Sequence, residues 1–220
     1  MKISEIYKNY KILPNLQLHQ LRVAAVSKLI VQNISANIDS KEIISACLLH
    51  DMGNIIKFDL KRFPEFLEPE GLEYWEKVQH EFITKYSDDE HSAHSKIAQE
   101  IGVETRVLEL IDSVGFSQSK LLAISTDFSK KIVCYSDQRV GPFGILSLEE
   151  RFADGATRTP KNKINEDTKQ RELFVNESRA GFFKLEKQIF ELCSISAENI
   201  NDESVNSFLE ELKSFEIITH

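Results

Sequence analysis

The stretch "LLHDMGNIIKFD", residues 48–59, sets a histidine and an aspartate side by side at the end of an apolar run. A buried imidazole next to a buried carboxylate is costly unless both groups have partners, and a metal ion satisfies both. Gly53 follows Asp51 closely, and glycine is a common residue just past the end of a helix. The stretch therefore predicts a helix whose buried face ends in His50 and Asp51, where a metal could bind.

Helical periodicity dominates the sequence around this stretch, and no pair of strands joined by a hairpin turn stands out. Asp39 and Glu42 have the capping-box spacing that starts the helix before His50. We expect an all-α fold, a helical bundle with an α-helical C-terminal extension. The predicted helices cover about residues 14–33, 40–51, 72–86, 88–101, 103–113, 117–125, 128–141, 167–194 and 201–214, with a short helix and a loop over 54–70.

The chain is expected to divide into two parts, residues 1–145 and residues 146–220. The first part would hold the metal-binding helices. The second would be a helical extension that packs on them or forms a dimer contact, since its long helices would suit a homodimer. Within the second part, "RFADGATRTPKNKINEDTKQ", residues 151–170, is polar and contains glycine and proline, which predicts a loop or mobile segment.

The composition narrows the classes of function. A net charge of −8 argues against a general nucleic-acid binder, which needs a basic surface, but it leaves room for a small phosphorylated substrate. No stretch approaches the roughly 18 apolar residues of a membrane span, and the N-terminus does not resemble a signal peptide. The three widely spaced cysteines indicate buried thiols in a reducing compartment. The expected localisation is therefore cytoplasmic, without a membrane partner.

Four polar residues are predicted on the inner faces or at the ends of helices: His19, His50, Asp51 and Asp137. Helical bundles build metal sites from inward-facing histidines and carboxylates. Two imidazoles and two carboxylates suit Mn, Fe, Co, Ni or Zn better than Ca or Mg, so we expect one divalent metal with positions open for water and a phosphate oxygen. Two alternatives stand beside this one. His19 could be a core histidine bonded to the backbone, and Asp137 could pair with Arg22.

The order His19, then His50-Asp51, then Asp137 resembles the H…HD…D pattern of the HD-domain metal-dependent phosphohydrolases. The similarity covers about residues 15–141, and the HD pair follows an apolar helix and precedes a glycine, as is usual in that family. The resemblance implies an all-α fold, a bound divalent metal and hydrolysis of a phosphate ester, often of a nucleotide. It also suggests that Asp51 is both a ligand and a catalytic residue that orients the attacking water.

Three further histidines, His80, His91 and His94, are candidates for this site. Some HD proteins carry extra histidines between the HD pair and the last aspartate, either as proton donors or as ligands of a second metal. In "DEHSAHSKIAQEIG", residues 89–102, His91 is favoured as a catalytic residue because a position at the edge of the helix face can reach a cleft. His94 is the alternative, as a substrate-binding residue or a packed core histidine. His80 projects to the polar side of its helix and is expected to be solvated.

A phosphate group needs cations or hydrogen-bond donors around it. Lys57 and Arg139 are predicted to bind substrate, since they follow Asp51 and Asp137 closely along the chain. Asn54 could hydrogen-bond the substrate or cap the helix. For any single cation, a solvated surface charge is the alternative interpretation. The weaker candidates are Lys61, Arg62 and Arg151.

The favoured hypothesis is a divalent-metal-dependent phosphohydrolase, a phosphomonoesterase or phosphodiesterase, that acts on a small phosphorylated metabolite such as a nucleotide. One alternative is a non-catalytic HD-like helical module that binds a partner, which would purify without stoichiometric metal. Another is a dinuclear HD-type oxygenase, which needs at least six ligands, so that His91 or His94 and another inward-facing residue would both have to join the four. The metal content of the protein therefore separates the three hypotheses.

Overall fold

The computed structural model describes residues 1–158 and 168–219, without the side chains of His91, Arg158 and Thr168. These described residues form eleven α-helices and no β-strand, so the prediction of an all-α fold is confirmed. In chain order the helices are α1 (Ile3–Asn9), α2 (Pro14–Val31), α3 (Ser40–Leu49), α4 (Leu72–Tyr86), α5 (Glu90–Ile101), α6 (Thr105–Ile111), α7 (Ser119–Leu122), α8 (Phe128–Gln138), α9 (Leu148–Arg158), α10 (Thr168–Phe190) and α11 (Asp202–Leu212). Short 3₁₀ segments lie at Asn54–Lys57, Pro64–Leu67, Phe116–Gln118 and Ala197–Asn199.

Three helices, α2, α3 and α8, pack against one another and form the framework of the site. α2 begins at Pro14, a favourable first residue because the first N–H of a helix has no intrahelical partner. One face of α2 is apolar and buried, and His19 lies one turn before Val23 on that face, which also carries Leu16, Val26 and Ile30. α3 begins after Asp39, whose carboxylate accepts hydrogen bonds from the N–H groups of the first turn. Local sequence signals therefore define the helix that carries His19 and the helix that His50 and Asp51 directly follow.

Gly53 has a different role from the helix stop that the sequence predicts. α3 ends at Leu49, and Gly53 has a φ of −95°, outside the left-handed conformation of a glycine cap. A Cβ on Gly53 would lie 2.6 Å from Cβ of Ala93 and 3.2 Å from the carbonyl oxygen of Glu90. The missing side chain therefore lets the turn after Asp51 lie directly against α5.

The prediction of a loop over residues 151–170 is wrong for its first part, because α9 extends to residue 158. Residues 159–167 lie outside the described residues. A capping box starts this helix: Ser147 donates its N–H to the Glu150 carboxylate, and the N–H of Glu150 donates to Oγ of Ser147. Phe152 is buried, and its ring contacts that of Phe182 on α10. Burial of one aromatic face outweighs the polar composition that suggested a loop.

The C-terminal helices pack on the helices that precede them. α10 contacts α7 and α8, and α11 contacts α2. Gly181 allows the close crossing of α10 and α7, since a Cβ there would lie 2.8 Å from the carbonyl carbon of Ser119. The division of the chain at residue 145 and a homodimer contact both stay predictions.

Candidate metal centre

The side chains of His19, His50 and Asp51 meet where α2 and the end of α3 face α8. One nitrogen or oxygen atom from each of the three lies within 4.8 Å of the other two. Asp137 reaches the same place from α8, and its Oδ1 lies 3.2 Å from Nε2 of His19 and 3.3 Å from Nε2 of His50. The structure thus brings together the four residues predicted as ligands, and their binding of a metal stays a prediction.

The C-terminal end of α3 is held by side chains that bond its last carbonyl groups. These groups lack partners within the helix and need donors from elsewhere. Nδ1 of His50 lies 2.8 Å from the carbonyl oxygen of Cys47, and the hydroxyl of Tyr7 donates to the carbonyl of Leu48 over 2.7 Å. Tyr7 is buried and belongs to α1, far from this turn in sequence. The bond from His50 to Cys47 and the bond from Tyr7 of α1 to Leu48 therefore hold the His50-Asp51 pair in position.

The bond to Cys47 also fixes which nitrogen of His50 carries the proton. A carbonyl oxygen only accepts, so Nδ1 must donate, and a neutral His50 presents the lone pair of Nε2 to the site. That Nε2 lies 3.3 Å from Oδ1 of Asp137 and 3.7 Å from Oδ2 of Asp51. A lone pair and carboxylate oxygens repel one another at these distances unless a proton or a metal ion lies between them. The donor set therefore fits a divalent metal that accepts nitrogen and oxygen ligands.

The pKa values of His50, Asp51 and Asp137 also indicate that a positive charge is favourable in this site. Burial alone would lower the pKa of His50, but the charge of Asp51 and a hydrogen bond to Asp137 raise it to about 9. Burial would raise the pKa of Asp137, yet hydrogen bonds from His19 and His50 hold it well below its usual range. The pKa of Asp51 is also lowered, because the charges of His50 and His19 outweigh its burial. Both carboxylates therefore stay ionised and require a proton or a metal between them.

Asn54 and Gln20 hold Asp51 in place. Nδ2 of Asn54 donates to Oδ2 of Asp51 over 2.6 Å, and the backbone N–H of Asp51 donates to Oε1 of Gln20 over 3.3 Å. The remaining amide atoms, Oδ1 of Asn54 and Nε2 of Gln20, are buried and have no hydrogen-bond partner within the described part of the chain. Buried polar atoms are costly to leave unpaired, so water or a bound group is expected beside Asp51.

A cavity of about 530 Å³ opens in front of the four side chains. His19, His50, Asp51 and Asp137 form part of its wall, and His94 lies in the same wall. Its volume is within the usual range for sites that bind small molecules. The candidate ligands therefore face a space that can hold a substrate.

Three cationic side chains line this cavity: Lys57, Arg62 and Arg151. Lys57 is half exposed, and its Nζ lies 3.2 Å from Oε1 of Glu90. Lys61, the remaining candidate of this group, is exposed on the outside and pairs with Glu76 at 3.8 Å. Lys57 and two of the three weaker candidates thus line the cavity, and their binding of substrate stays a prediction.

Arg139 does not reach the cavity, contrary to the prediction that it binds substrate. It is 3% exposed, and its guanidinium donates to the hydroxyl of Tyr135 and to the carbonyls of Leu146, Ala197 and Ile200. The carbonyls of Ala197 and Ile200 belong to the C-terminal region. Four hydrogen bonds point the side chain away from Asp137, although the two residues are close in sequence. Arg139 therefore connects α8 to the C-terminal region.

The extra histidines differ in their surroundings. His94 is 6% exposed, lines the cavity and accepts a hydrogen bond at Nδ1 from the N–H of Gly53 over 2.9 Å. Because an accepting nitrogen carries no proton, the proton of neutral His94 is on Nε2. The side chain of His91 lies outside the described part of the structure. His80 is exposed on α4 and does not line the cavity.

The sequence interpretation missed the aromatic side chains of the cavity. Phe58, Phe63, Phe66 and Phe116 line it together with the polar residues. A local signal exists in "DLKRFPEFL", residues 59–67, where aromatic residues alternate with charged ones just after the HD pair. The segment has no regular period, so its sequence did not indicate which way these rings point.

The comparisons with known proteins agree with this geometry. The HD domain family model matches residues 17–137, more than half of the chain, and the chain therefore belongs to the HD-domain family. This family lies in a superfamily of metal-dependent phosphohydrolases, and its members bind divalent metals. No curated protein and no solved structure matches the chain. Among the described residues, no helix has the length and apolar character that crossing a membrane requires.

Proposed function

We propose that this protein is a divalent-metal-dependent phosphohydrolase that acts on a small phosphorylated metabolite, with nucleotides as the first class to test. The observation that carries the proposal is the convergence of His19, His50 and Asp51 within 4.8 Å of one another in the wall of a cavity lined by cationic side chains. The membership in the HD-domain family supports it. Both features are expected of a site that cleaves phosphate esters with a metal.

His19, His50, Asp51 and Asp137 would hold the metal, and Mn, Fe, Co, Ni or Zn suits this donor set. When bound, such a metal supplies a Lewis acid that activates water and neutralises charge on a phosphoryl group. Asp51 would also orient the attacking water, because Asn54 fixes one of its carboxylate oxygens. The hydrogen bond between His50 and Cys47 keeps Nε2 directed at the site. These contacts support the ligand assignment.

The charges of the cavity suit a phosphate dianion. Its wall carries three cationic side chains, Lys57, Arg62 and Arg151, and three carboxylates, Asp51, Asp59 and Asp137. Lys57 and Arg151 also pair with Glu90 and Asp154, so a divalent metal in the proposed position would supply the main positive charge that attracts anionic substrates. Lys57 and Asn54 remain proposed substrate-binding residues, joined by Arg62 and Arg151.

His94 would supply the proton that the leaving oxygen needs. The N–H of Gly53 donates to Nδ1 of His94, so Nε2 of the neutral ring carries the proton. The ring lies in the cavity wall. A donor of this kind is what the departing alkoxide requires. His91 stays a prediction for the same catalytic role.

The first experiment is elemental analysis of the purified protein beside the Asp51→Ala variant. We expect about one transition metal per chain in the wild type and its loss in Asp51→Ala, with the helical circular dichroism unchanged. His80→Ala is the matched control, because His80 is an exposed histidine outside the cavity and its variant should keep the metal. Retention of full metal and activity in Asp51→Ala would overturn the assignment.

The second experiment measures phosphate release from nucleotides and other phosphate esters with added Mn²⁺ or Co²⁺. At least one ester should be hydrolysed, and Asp51→Ala should lower kcat/KM by more than about 100-fold. A protein that takes up no metal under these conditions would instead be a helical binding module. About two metals per chain would favour a dinuclear centre.

A further inference from the structure

Three aromatic side chains form a cluster at the edge of the cavity. The ring centroids of Phe63 and Phe66 are 5.0 Å apart, and the ring of Phe143 lies 5.9 Å from the first and 5.6 Å from the second. Phe63 and Phe66 line the cavity that also holds His50 and Asp51. We call these three phenylalanines the aromatic mouth.

The two sides of the aromatic mouth come from segments that follow the two ends of the HD motif. Phe63 and Phe66 lie at the Pro64–Leu67 segment after the HD pair, and Phe143 lies in the turn after α8. The backbone of that turn is held by a bond from the Gly141 N–H to the Gly144 carbonyl over 2.8 Å. The ring of Phe143 therefore projects from a hydrogen-bonded turn.

Phe143 is 68% exposed, which is high for a phenylalanine that contacts two other rings. Phe143 does not itself line the cavity, but Gly141 and Pro142 before it and both of its ring partners do. Its exposed ring therefore lies at the rim of the cavity, where an exposed apolar group is a typical feature of a ligand site. Arg62 adds a charge here, since its guanidinium carbon lies 5.5 Å from the ring centroid of Phe63. The cavity edge thus combines aromatic faces with a cationic side chain.

The cavity volume of about 530 Å³ exceeds what a bare phosphate group fills, so a substrate bound at the metal end would extend towards these rings. Aromatic rings bind other rings more favourably than equal aliphatic surface, through offset or edge-to-face contacts. We propose that the aromatic mouth binds a planar ring of the substrate, so that the preferred substrates are phosphate esters of aryl or heteroaromatic groups. This inference rests on the proposed function.

The test uses three phosphonates that cannot be hydrolysed: methylphosphonate, cyclohexylphosphonate and phenylphosphonate. Their Kd values are measured by calorimetry with the Mn²⁺-loaded protein. Phenylphosphonate should bind about threefold to tenfold more tightly than cyclohexylphosphonate, which has a similar size but no aromatic face. The double variant Phe63→Leu, Phe66→Leu removes the two rings that line the cavity and should abolish this difference, and Phe143→Leu, at the rim, should reduce it. The Kd of methylphosphonate should stay unchanged in both variants. Phe183→Leu is the control, since Phe183 is partly exposed on α10 and its ring contacts Phe152 rather than the rings of the aromatic mouth.

The outcomes separate this inference from the proposed function. Equal affinities for the phenyl and cyclohexyl compounds would overturn the aromatic mouth as a ring-binding site, while binding of methylphosphonate would leave the proposed function intact. Failure of all three to bind would count against both. The kcat/KM for AMP against ribose 5-phosphate, which differ only by the base, then distinguishes a nucleobase from a simple aryl ring. A preference for phenyl phosphate without a preference for AMP would assign the site to aryl esters.

Discussion

The two ends of the cavity differ in how their side chains are held. At the metal end, His50 is 2% exposed, and each of its ring nitrogens faces an oxygen within 3.3 Å. At the aromatic mouth, Phe143 is exposed and touches only the rings of Phe63 and Phe66 among the aromatic contacts of the described residues. A fixed metal end suits chemistry that needs a constant geometry, whereas a less buried mouth can change without disturbing the fold. Substitutions at the two ends should therefore have different effects.

The largest effect is expected at His50 in the metal-free protein. Its pKa is raised from 6.5 to about 9, so its protonated form stabilises the fold fully below pH 6.5 and this contribution is lost as the pH rises through 9. A shift of this size corresponds to a loss of on the order of 3 kcal/mol in the free energy of unfolding. Urea unfolding of chelator-treated protein between about pH 6 and about pH 10 measures it.

His50→Gln should flatten this dependence on pH, and His80→Gln should preserve it. Saturating metal should also flatten it, because the metal replaces the proton at Nε2. If the free energy of unfolding of His50→Gln depended on pH as in the wild type, another group would be responsible. His50 would then interact less strongly with Asp51 and Asp137 than the distances indicate.

A smaller effect is expected at Tyr7, which supports the metal end from α1. Tyr7→Phe removes the hydroxyl that donates to the Leu48 carbonyl and leaves that buried oxygen unpaired. We expect a loss of about 1–3 kcal/mol in the free energy of unfolding and metal binding weakened by up to about tenfold. Urea unfolding and a metal titration measure both quantities. Tyr74→Phe, at a more exposed tyrosine of α4, is the control; equal behaviour of the two variants would contradict the role of Tyr7.

The smallest effect is expected at the mouth. Phe143→Leu should change the free energy of unfolding by no more than about 0.5 kcal/mol, since the ring is largely exposed, and it should leave the metal content unaltered. Urea unfolding and elemental analysis measure these quantities. A loss of more than about 1 kcal/mol would mean that the aromatic mouth belongs to the core, and the contrast between the two ends would fail.

Much of the fold could be predicted because its signals are local. The apolar period around His19 and the cap at Asp39 define α2 and α3. The resemblance of the order His50, Asp51 and Asp137 to the HD-family pattern implied that these residues meet. α9 was missed although "SLEE", residues 147–150, has the spacing of a capping box. The Gly155 that follows and the polar residues beyond it outweighed that signal.

The direction of long side chains could not be predicted, and Arg139 is the clearest case. Its nearness to Asp137 in sequence suggested a phosphate ligand, yet it bonds carbonyls 58 and 61 residues further along the chain. Phe63 and Phe66 present the same difficulty, because they lie in a segment without a regular period. Contacts between distant segments decide both outcomes, and no local pattern contains them.

The buried guanidinium of Arg139 has a consequence for anyone who would shorten this protein. The family match ends at residue 137, but Arg139 donates to the carbonyls of Ala197 and Ile200. A fragment cut soon after the match would lose these acceptors of Arg139 together with α11, which packs on α2, so it would expose apolar surface of the helix that carries His19. The residues that define membership in the family and the residues that a stable minimal enzyme must retain are therefore two different sets.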